Sequence, residues 1–436
     1  MNEPKIEVGI LQQEVISFSL KGTYTFGQEH YEGVYDVKCE SGKILFGDKK
    51  YTEVYLKAKN QSRNSFTLSE VIIGKGFHWE RKEDQTFRGD LKLIVEDDQI
   101  VAINILLLED YLKSVIASEM RATSALELLK AHAVISRSWL MSQIDKRQNQ
   151  TMKEQETYPS DIRNDDSWIK WWGREDHVNF DVCADDHCQR YQGISRMSVA
   201  SDLVTEAVEA TTGEVLMHDG QICDARYSKC CGGMLEEFQN CWEPVPKKYL
   251  RKVYDGNRYE LAAIPDLTDE VQARKWICGS PAAYCNTTDK YILSQVLNTY
   301  DQETTDFYRW KQIYDKSELD ALIAKNTGID FGHIISFQVL ERGTSGRVLQ
   351  LKICGEKHTM TIGKELLIRK VLSETHLYSS AIVFEETEER WIIRGAGWGH
   401  GVGLCQIGAA VMAVKGYEYE DILSHYFPSA VIEKTY

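Results

Sequence analysis

A carboxylate at the end of an apolar helical stripe can act as a proton donor, and Glu119 has that setting. Leu112, Val115, Ile116 and Glu119 fall at i, i+3, i+4 and i+7, one face of a helix. Three of the four are apolar, so the carboxylate is directed at packed surface or a cleft. Desolvation there disfavours the ionised form, which suits a general acid. Spacing alone equally allows a surface glutamate. A second constellation is His177, Cys183 and Cys188, with His187 next to the last. Imidazole and thiolate at such spacing fit tetrahedral zinc, which takes nitrogen and sulfur ligands. Adjacent His187 and Cys188 are not expected to bind together without a contorted backbone, so His187 stands in reserve. A Cys183–Cys188 disulfide and plain buried thiols are the other readings of the same residues.

The stretch 106–143 must position Glu119. After the first stripe, Ser124-Ala-Leu-Glu127 reads as a capping box, and Leu126, Leu129, Ala133, Leu140 and Ile144 supply a second helical stripe. Residues 1–98 alternate and carry β-branched residues at 5–11, 14–20, 51–58 and 91–95, which predicts a β-rich subdomain. Within it, Phe77, His78 and Trp79 are either buried aromatics or a platform on which a sugar could stack. Residues 145–176 are polar, with Trp168, Trp171 and Trp172 close together. They form a loop tied to the body by its tryptophans or a lip facing a ligand.

Strands and turns are expected over 189–233, including a hairpin at TTGEVLMHDG. Residues 244–330 read as an insertion with helices at 266–277 and 316–325. A hairpin follows, with strands 334–341 and 348–353 around Arg342-Gly-Thr-Ser-Gly-Arg347, then a helix over 363–372. Strand 390–394 leads into glycine-rich 395–403 and two helices, 404–414 closed by Gly416 and 420–426 stopped by Pro428. The glycine loop lacks the P-loop lysine, and no βαβ unit with a ribose-binding acid accompanies it, which rejects nucleotide binding. Its free amides could bind sugar hydroxyl or carboxylate oxygens. The fold class is α+β, mixed strands and helices around a central cleft, with 1–98 as the β-rich subdomain and 99–436 as the main domain.

The 436 residues are 43% hydrophobic, enough for a sizeable core. A net charge of −15 and pI near 5.3 argue against non-specific binding to nucleic acid or an anionic membrane. No apolar run reaches the length of a membrane span. The N-terminal MNEPKIEVGILQQ has neither a basic nor an apolar leader region, so no signal peptide is visible. Eleven cysteines leave at least one unable to pair within the chain. In an oxidising compartment Cys278 could meet Cys285, and Cys230 or Cys231 could meet Cys241. In a reducing one they are buried thiols or metal ligands.

EDYLKSVIASEM followed by LKAHAVISRSW resembles the opening motif of the stage II sporulation protein D (SpoIID/LytB) family. Two later blocks carry the same resemblance, HCQRYQG through YSKCCGG at 187–233 and GAGWGHGVGLCQIGAAVMAVKGYEYEDILSHYFP at 395–428. The resemblance implies a peptidoglycan lytic transglycosylase of the cell envelope or periplasm, acting on glycan strands stripped of stem peptides. Its catalytic glutamate maps to Glu119. Gln189, Ser228, His400 and Gln406 match motif positions and are expected at the glycan, in a cleft where the three blocks gather. A core histidine and a capping glutamine are the structural readings of His400 and Gln406. Cys230 and Cys231 depart from the family's small hydroxylic residues. A zinc, structural or near the cleft and not required for chemistry, is implied on His177, Cys183 and Cys188. An amidase that removes stem peptides is the implied partner. For a wall enzyme, a leader removed or outside this numbering is the natural expectation. Two other readings are a non-catalytic LytB-type amidase enhancer and a zinc-stabilised glycan-binding scaffold.

Overall fold

Alternating side chains build the first hundred residues into sheet, and a computed structural model shows how it meets the helices. The structure describes residues 3–74, 80–121, 124–150, 159–172, 177–185, 187–195, 197–297 and 306–436, without the side chains of 148–150 and 197–201. Phe77, His78 and Trp79 lie outside the described residues. The chain divides into two compact units. Unit 1 is Met1–Met152, Asp176–Val215 and Glu433–Tyr436, and unit 2 is Lys153–Glu175 and Leu216–Ile432. The fold is α+β.

Unit 1 holds a large sheet. Its order is Val182–Cys183, Lys5–Gln13, Gln99–Leu107, Asp90–Glu96, Glu53–Ala58, Val15–Phe26, Glu29–Glu40, Lys43–Phe46 and Lys49–Tyr51. Ser65–Ile73 branches from Val15–Phe26 and pairs with Arg81–Arg88. Gln99–Leu107 is buried on both faces from Ile100 to Leu106, as a central strand requires. It leads directly into α1 (Leu108–Glu119), where Leu112, Val115 and Ile116 are fully buried as the stripe predicts. The helix stops because Met120 turns extended, with φ −120° and ψ 159°, while its amide still donates to the Ile116 carbonyl.

α2 (Leu126–Gln150) departs from expectation. The sequence predicts a one-sided stripe, yet Ala131 to Leu140 is buried on every side. Two of its buried polar residues, Arg137 and Ser138, find partners within unit 1. Arg137 is fully buried and donates to both oxygens of Glu109 at 2.9 and 2.7 Å and to the Glu214 carbonyl at 2.9 Å. Ser138 donates back to the Val134 carbonyl at 2.6 Å. A second departure is α3 (Met197–Ala210), where strands were expected. Its β-branched residues favour strand locally, but Val204, Ala207 and Val208 stand at i, i+3 and i+4 and bury against α1 and α2.

Unit 2 is built on a five-stranded sheet, ordered Asp161–Arg163, Ser167–Lys170, Thr359–Gly363, Val348–Gly355 and Ile334–Arg342. A three-stranded sheet joins Arg309–Asp315, Arg390–Ala396 and Ile382–Glu386. The core includes Leu319, Ile323, Val348, Leu351, Ile362, Ile368 and Ile393. Its helices are α4 (Glu270–Cys278), α5 (Lys290–Val296), α6 (Lys316–Thr327), α7 (Glu365–Val371), α8 (Gln406–Val414) and α9 (Tyr419–Tyr426). Asp269 and Asp289 cap α4 and α5 with their carboxylates, and Gly328 closes α6 in the left-handed conformation. The tryptophan loop is tied down by its rings. Ser167–Lys170 joins the sheet, and Lys364 and Lys370 lie over Trp171 and Trp172 at 3.9 and 3.8 Å.

All eleven cysteines stand as free thiols. The pairings considered for an oxidising compartment are not formed, and the alternative of unpaired thiols holds: Cys278 is exposed, while Cys285 is buried with its sulfur 3.7 Å from that of Cys231. Among the described residues, no helix is long and apolar enough to cross a membrane.

Candidate functional site

Glu119 is the last residue of α1 and is 7% exposed. The Arg190 amide donates to its Oε1 at 3.4 Å. The segment bearing Arg190 is held residue by residue. Tyr191 stacks on Tyr111 with centroids 5.1 Å apart, and its hydroxyl donates to Asn104 at 2.5 Å. Gly193 has φ +64°, and a Cβ there would collide with the Thr86 carbonyl. The Gly193 carbonyl accepts from Ser114 of α1 at 2.7 Å. Gln189, expected at the glycan, is 1% exposed with its amide engaged. Its Oε1 accepts from Tyr111 at 3.4 Å and its Nε2 donates to the Ser136 carbonyl at 3.3 Å. It props the segment from inside unit 1.

Upstream on this segment sit the candidate metal ligands. Val182–Cys183 adds a short parallel strand beside Lys5–Gln13, pairing Gly9 with Cys183. One donor atom from each of His177, Cys183, His187 and Cys188 lies within 4.8 Å of the others. The Cys188 sulfur is 3.4 Å from His177 Nε2 and 3.4 Å from His187 Nδ1, and Cys183 is 3.9 Å from His187 Nδ1. His187 therefore joins the three residues placed ahead of it. It does so through Nδ1, the ring nitrogen nearer the backbone, which lets neighbouring residues face one point. The Cys183 amide donates to the Cys188 sulfur at 3.4 Å. The Cys183 thiol is pulled far below its ordinary pKa, first by hydrogen bonding with Cys188 and then with the two histidines. Two sulfurs and two imidazoles in this arrangement are a donor set that could hold zinc.

A cavity of about 420 Å³ in unit 1 is lined by His177, Phe180, Cys183, His187 and Arg190. Gln85 also lines it. Gln85 is 2% exposed, and its Nε2 has no hydrogen-bond partner among the described residues. A lone glutamine on a strand carries no sequence signal.

Ser228, His400 and Gln406 belong to unit 2, where they are gathered. Tyr227–Ser228 runs parallel to Leu404–Cys405, pairing Ser228 with Cys405, the residue before Gln406. A Cβ on Gly399 would stand 3.0 Å from that of Ser228. Ser228 is 7% exposed, and its Oγ has no hydrogen-bond partner among the described residues. His400 is half-buried, edge-on to Trp242 at 4.7 Å. Its Nδ1 accepts from the Val402 amide at 3.0 Å, which leaves the proton of the neutral ring on Nε2. Burial, then the guanidinium groups of Arg226, Arg347 and Arg369, hold its pKa well below the usual histidine value.

The hairpin around 342–347 turns out to support this loop. Arg347 donates to the Gly399 carbonyl at 3.2 and 3.0 Å and to the Cys231 carbonyl at 3.3 Å. The Thr344 and Ser345 amides and hydroxyls all donate to buried Glu236, at 2.6 to 3.1 Å. The glycines answer to crowding: a Cβ on Gly397 would approach the Cys230 carbonyl to 2.7 Å, and one on Gly401 would strike Arg347.

Residues 96–218 match the model of the family described as Stage II sporulation protein. Residues 236–403 match a domain of unknown function (DUF8618). The chain is similar to an uncharacterized protein of Brachyspira hyodysenteriae, 24% identical over 373 residues covering 84% of this chain and 79% of that one. It is 26% identical over 337 residues to the amidase enhancer of Bacillus subtilis, covering 74% of this chain but 40% of the enhancer. It is 22% identical over 328 residues to the stage II sporulation protein D of Bacillus subtilis, covering 75% and 74%.

Proposed function

Because the chain belongs to the SpoIID/LytB family through residues 96–218, we propose that it remodels the cell wall as a lytic transglycosylase. Its substrate is then the bond between N-acetylmuramic acid and N-acetylglucosamine in peptidoglycan strands lacking stem peptides. The observation that carries this reading is Glu119, a buried carboxylate at a helix end, with a backbone amide on one oxygen and inside the matched domain.

Protonated Glu119 gives its proton to the glycosidic oxygen as the bond from muramic acid C1 to that oxygen breaks, and the N-acetylglucosamine end leaves as an alcohol. The C6 hydroxyl of the same muramic acid residue bonds to C1 and passes its proton to the Glu119 carboxylate. The product is a 1,6-anhydro end. No water is consumed and Glu119 returns to its starting state, so no second carboxylate is needed. Ser228 and His400 are assigned to glycan binding in unit 2, whereas Gln406, expected there too, is 1% exposed at the start of α8 and belongs to the interior. The Ser228 hydroxyl, without a hydrogen-bond partner among the described residues, supports that assignment. We assign zinc to His177, Cys183, His187 and Cys188, where it would cross-link the segment that brings the Arg190 amide to Glu119. The proton transfers are left to the glutamate. The place of action would be the cell envelope.

A second reading has one observation in its favour, the similarity to a protein named amidase enhancer. Mass analysis after incubation with peptide-free glycan strands separates the two. Release of 1,6-anhydro products supports the transglycosylase. Reducing ends alone would make the protein a hydrolase. No cleavage, with stimulation of an added amidase on intact peptidoglycan, would establish the enhancer.

A further inference from the structure

Unit 2 contains a donor cluster that the proposed chemistry does not use. One ligand atom from each of Cys231, Asp255, Cys285 and Cys405 lies within 4.8 Å of the others, and all four residues are buried. They come from four separate places: the Cys-Cys-Gly-Gly turn after Tyr227–Ser228, the segment before Arg258–Glu260, the loop before α5, and the strand feeding α8. The Cys231 and Cys285 sulfurs are 3.7 Å apart. Two thiolates on one tetrahedral zinc, at about 2.3 Å each, stand about 3.8 Å apart. An iron–sulfur cluster is larger than a single ion and would need its thiolates further apart.

The surroundings are those of anionic ligands. The Cys231 amide donates to the Cys405 sulfur at 3.2 Å, and the Gly233 amide donates to the Cys231 sulfur at 3.3 Å. Asp255 is 0% exposed. Its Oδ2 accepts from the Cys285 amide at 3.0 Å and its Oδ1 from the Tyr426 hydroxyl at 2.7 Å. Such donors orient metal ligands from the outer shell. Buried thiolates and a buried carboxylate are costly unless a cation compensates them.

We infer that Cys231, Asp255, Cys285 and Cys405 form a second metal centre, a closed tetrahedral site for zinc or a zinc-like soft divalent ion. With four protein ligands it has no open position, so its role is structural. It fastens the start of α8, and with it Gln406 and the end of the glycine loop, to three distant segments. The inference is independent of the transglycosylase reading and of the histidine-containing cluster.

The test removes the first cluster to isolate the second. A chain carrying Cys183→Ala and Cys188→Ala, purified without added metal, should hold one zinc per chain by elemental analysis. Adding Cys285→Ala should abolish it, and adding Cys354→Ser, outside the cluster, should leave it. If the Cys285→Ala chain fails to fold, cobalt exchanged into the Cys183→Ala/Cys188→Ala chain decides. Tetrahedral ligand-field bands with intense thiolate-to-cobalt charge transfer support the site, and their absence overturns it. Metal-free protein, iron with cluster absorption, or an intact mass showing a Cys231–Cys285 disulfide would each overturn it too.

Discussion

The two donor clusters are built on opposite principles. In unit 1 the donors run from His177 to Cys188, and His187 is exposed. In unit 2 they run from Cys231 to Cys405, and every one is buried. A short loop costs little entropy to close, so an ion there adjusts a segment that the Tyr111–Tyr191 stack and Gly193 already hold. A span some sixteen-fold longer costs about 2.4 kcal/mol more to close, at roughly 0.6 kcal/mol per doubling. An ion on the long-range set therefore bears on the stability of unit 2. The local set bears on the position of the Arg190 amide and, through it, on Glu119. On the proposed function, the local set serves the segment beside the catalytic glutamate and the long-range set holds a loop in place.

The sharpest break of that contrast is Glu119→Gln. The amide keeps the size but cannot donate a carboxylic proton and take one back. Release of 1,6-anhydro products should fall about 10² to 10⁴-fold, roughly 3 to 5 kcal/mol of barrier, with an unchanged melting temperature. A variant that melts like wild type and still turns over at a comparable rate would remove Glu119 from the mechanism.

Arg137→Met asks what holds unit 1. It strands the Glu109 carboxylate in the core and should cost about 3 to 5 kcal/mol in denaturant unfolding. Cys183→Ala should cost far less. Equal costs would mean that the local cluster, and not the buried ion pair, is the organiser.

With ions in both clusters, Cys405→Ala should destabilise the chain by about 2 kcal/mol more than Cys183→Ala, the difference in closure entropy. Melting curves of the two variants give the answer directly, and a reversed order would defeat the contrast.

The smallest effect is a pH slope. His400 is held neutral in the folded state, its pKa well below the ordinary 6.5. It imposes no penalty above pH 6.5. As pH falls below that value the unfolded chain takes up a proton that the folded chain resists. Stability is then lost, by at most about 1.4 kcal/mol per pH unit. His400→Asn keeps an acceptor for the amide two residues on and should flatten that loss. An unchanged acid limb of the stability curve would show that the histidine titrates freely.

Much of this protein follows from local pattern. The period-2 strands of 1–98, the α1 stripe ending at Glu119, the hairpin strands 334–342 and 348–355 and the glycine loop running into α8 are legible because each depends on neighbours in sequence. The His177, Cys183 and Cys188 grouping is legible for the same reason. What local pattern could not supply lies in long-range contact. α3 is a helix because α1 and α2 bury Val204, Ala207 and Val208, against the strand preference of its valines. α2 is buried all round because Glu109 neutralises Arg137 from another helix. Gln189 matches a motif yet faces the core. Cys285 meets Cys231 and Cys405 across loops that carry no spacing to betray them. Periodicity reports which face of an element is apolar. Only the packed chain decides what that face, or a buried thiol, will find opposite it.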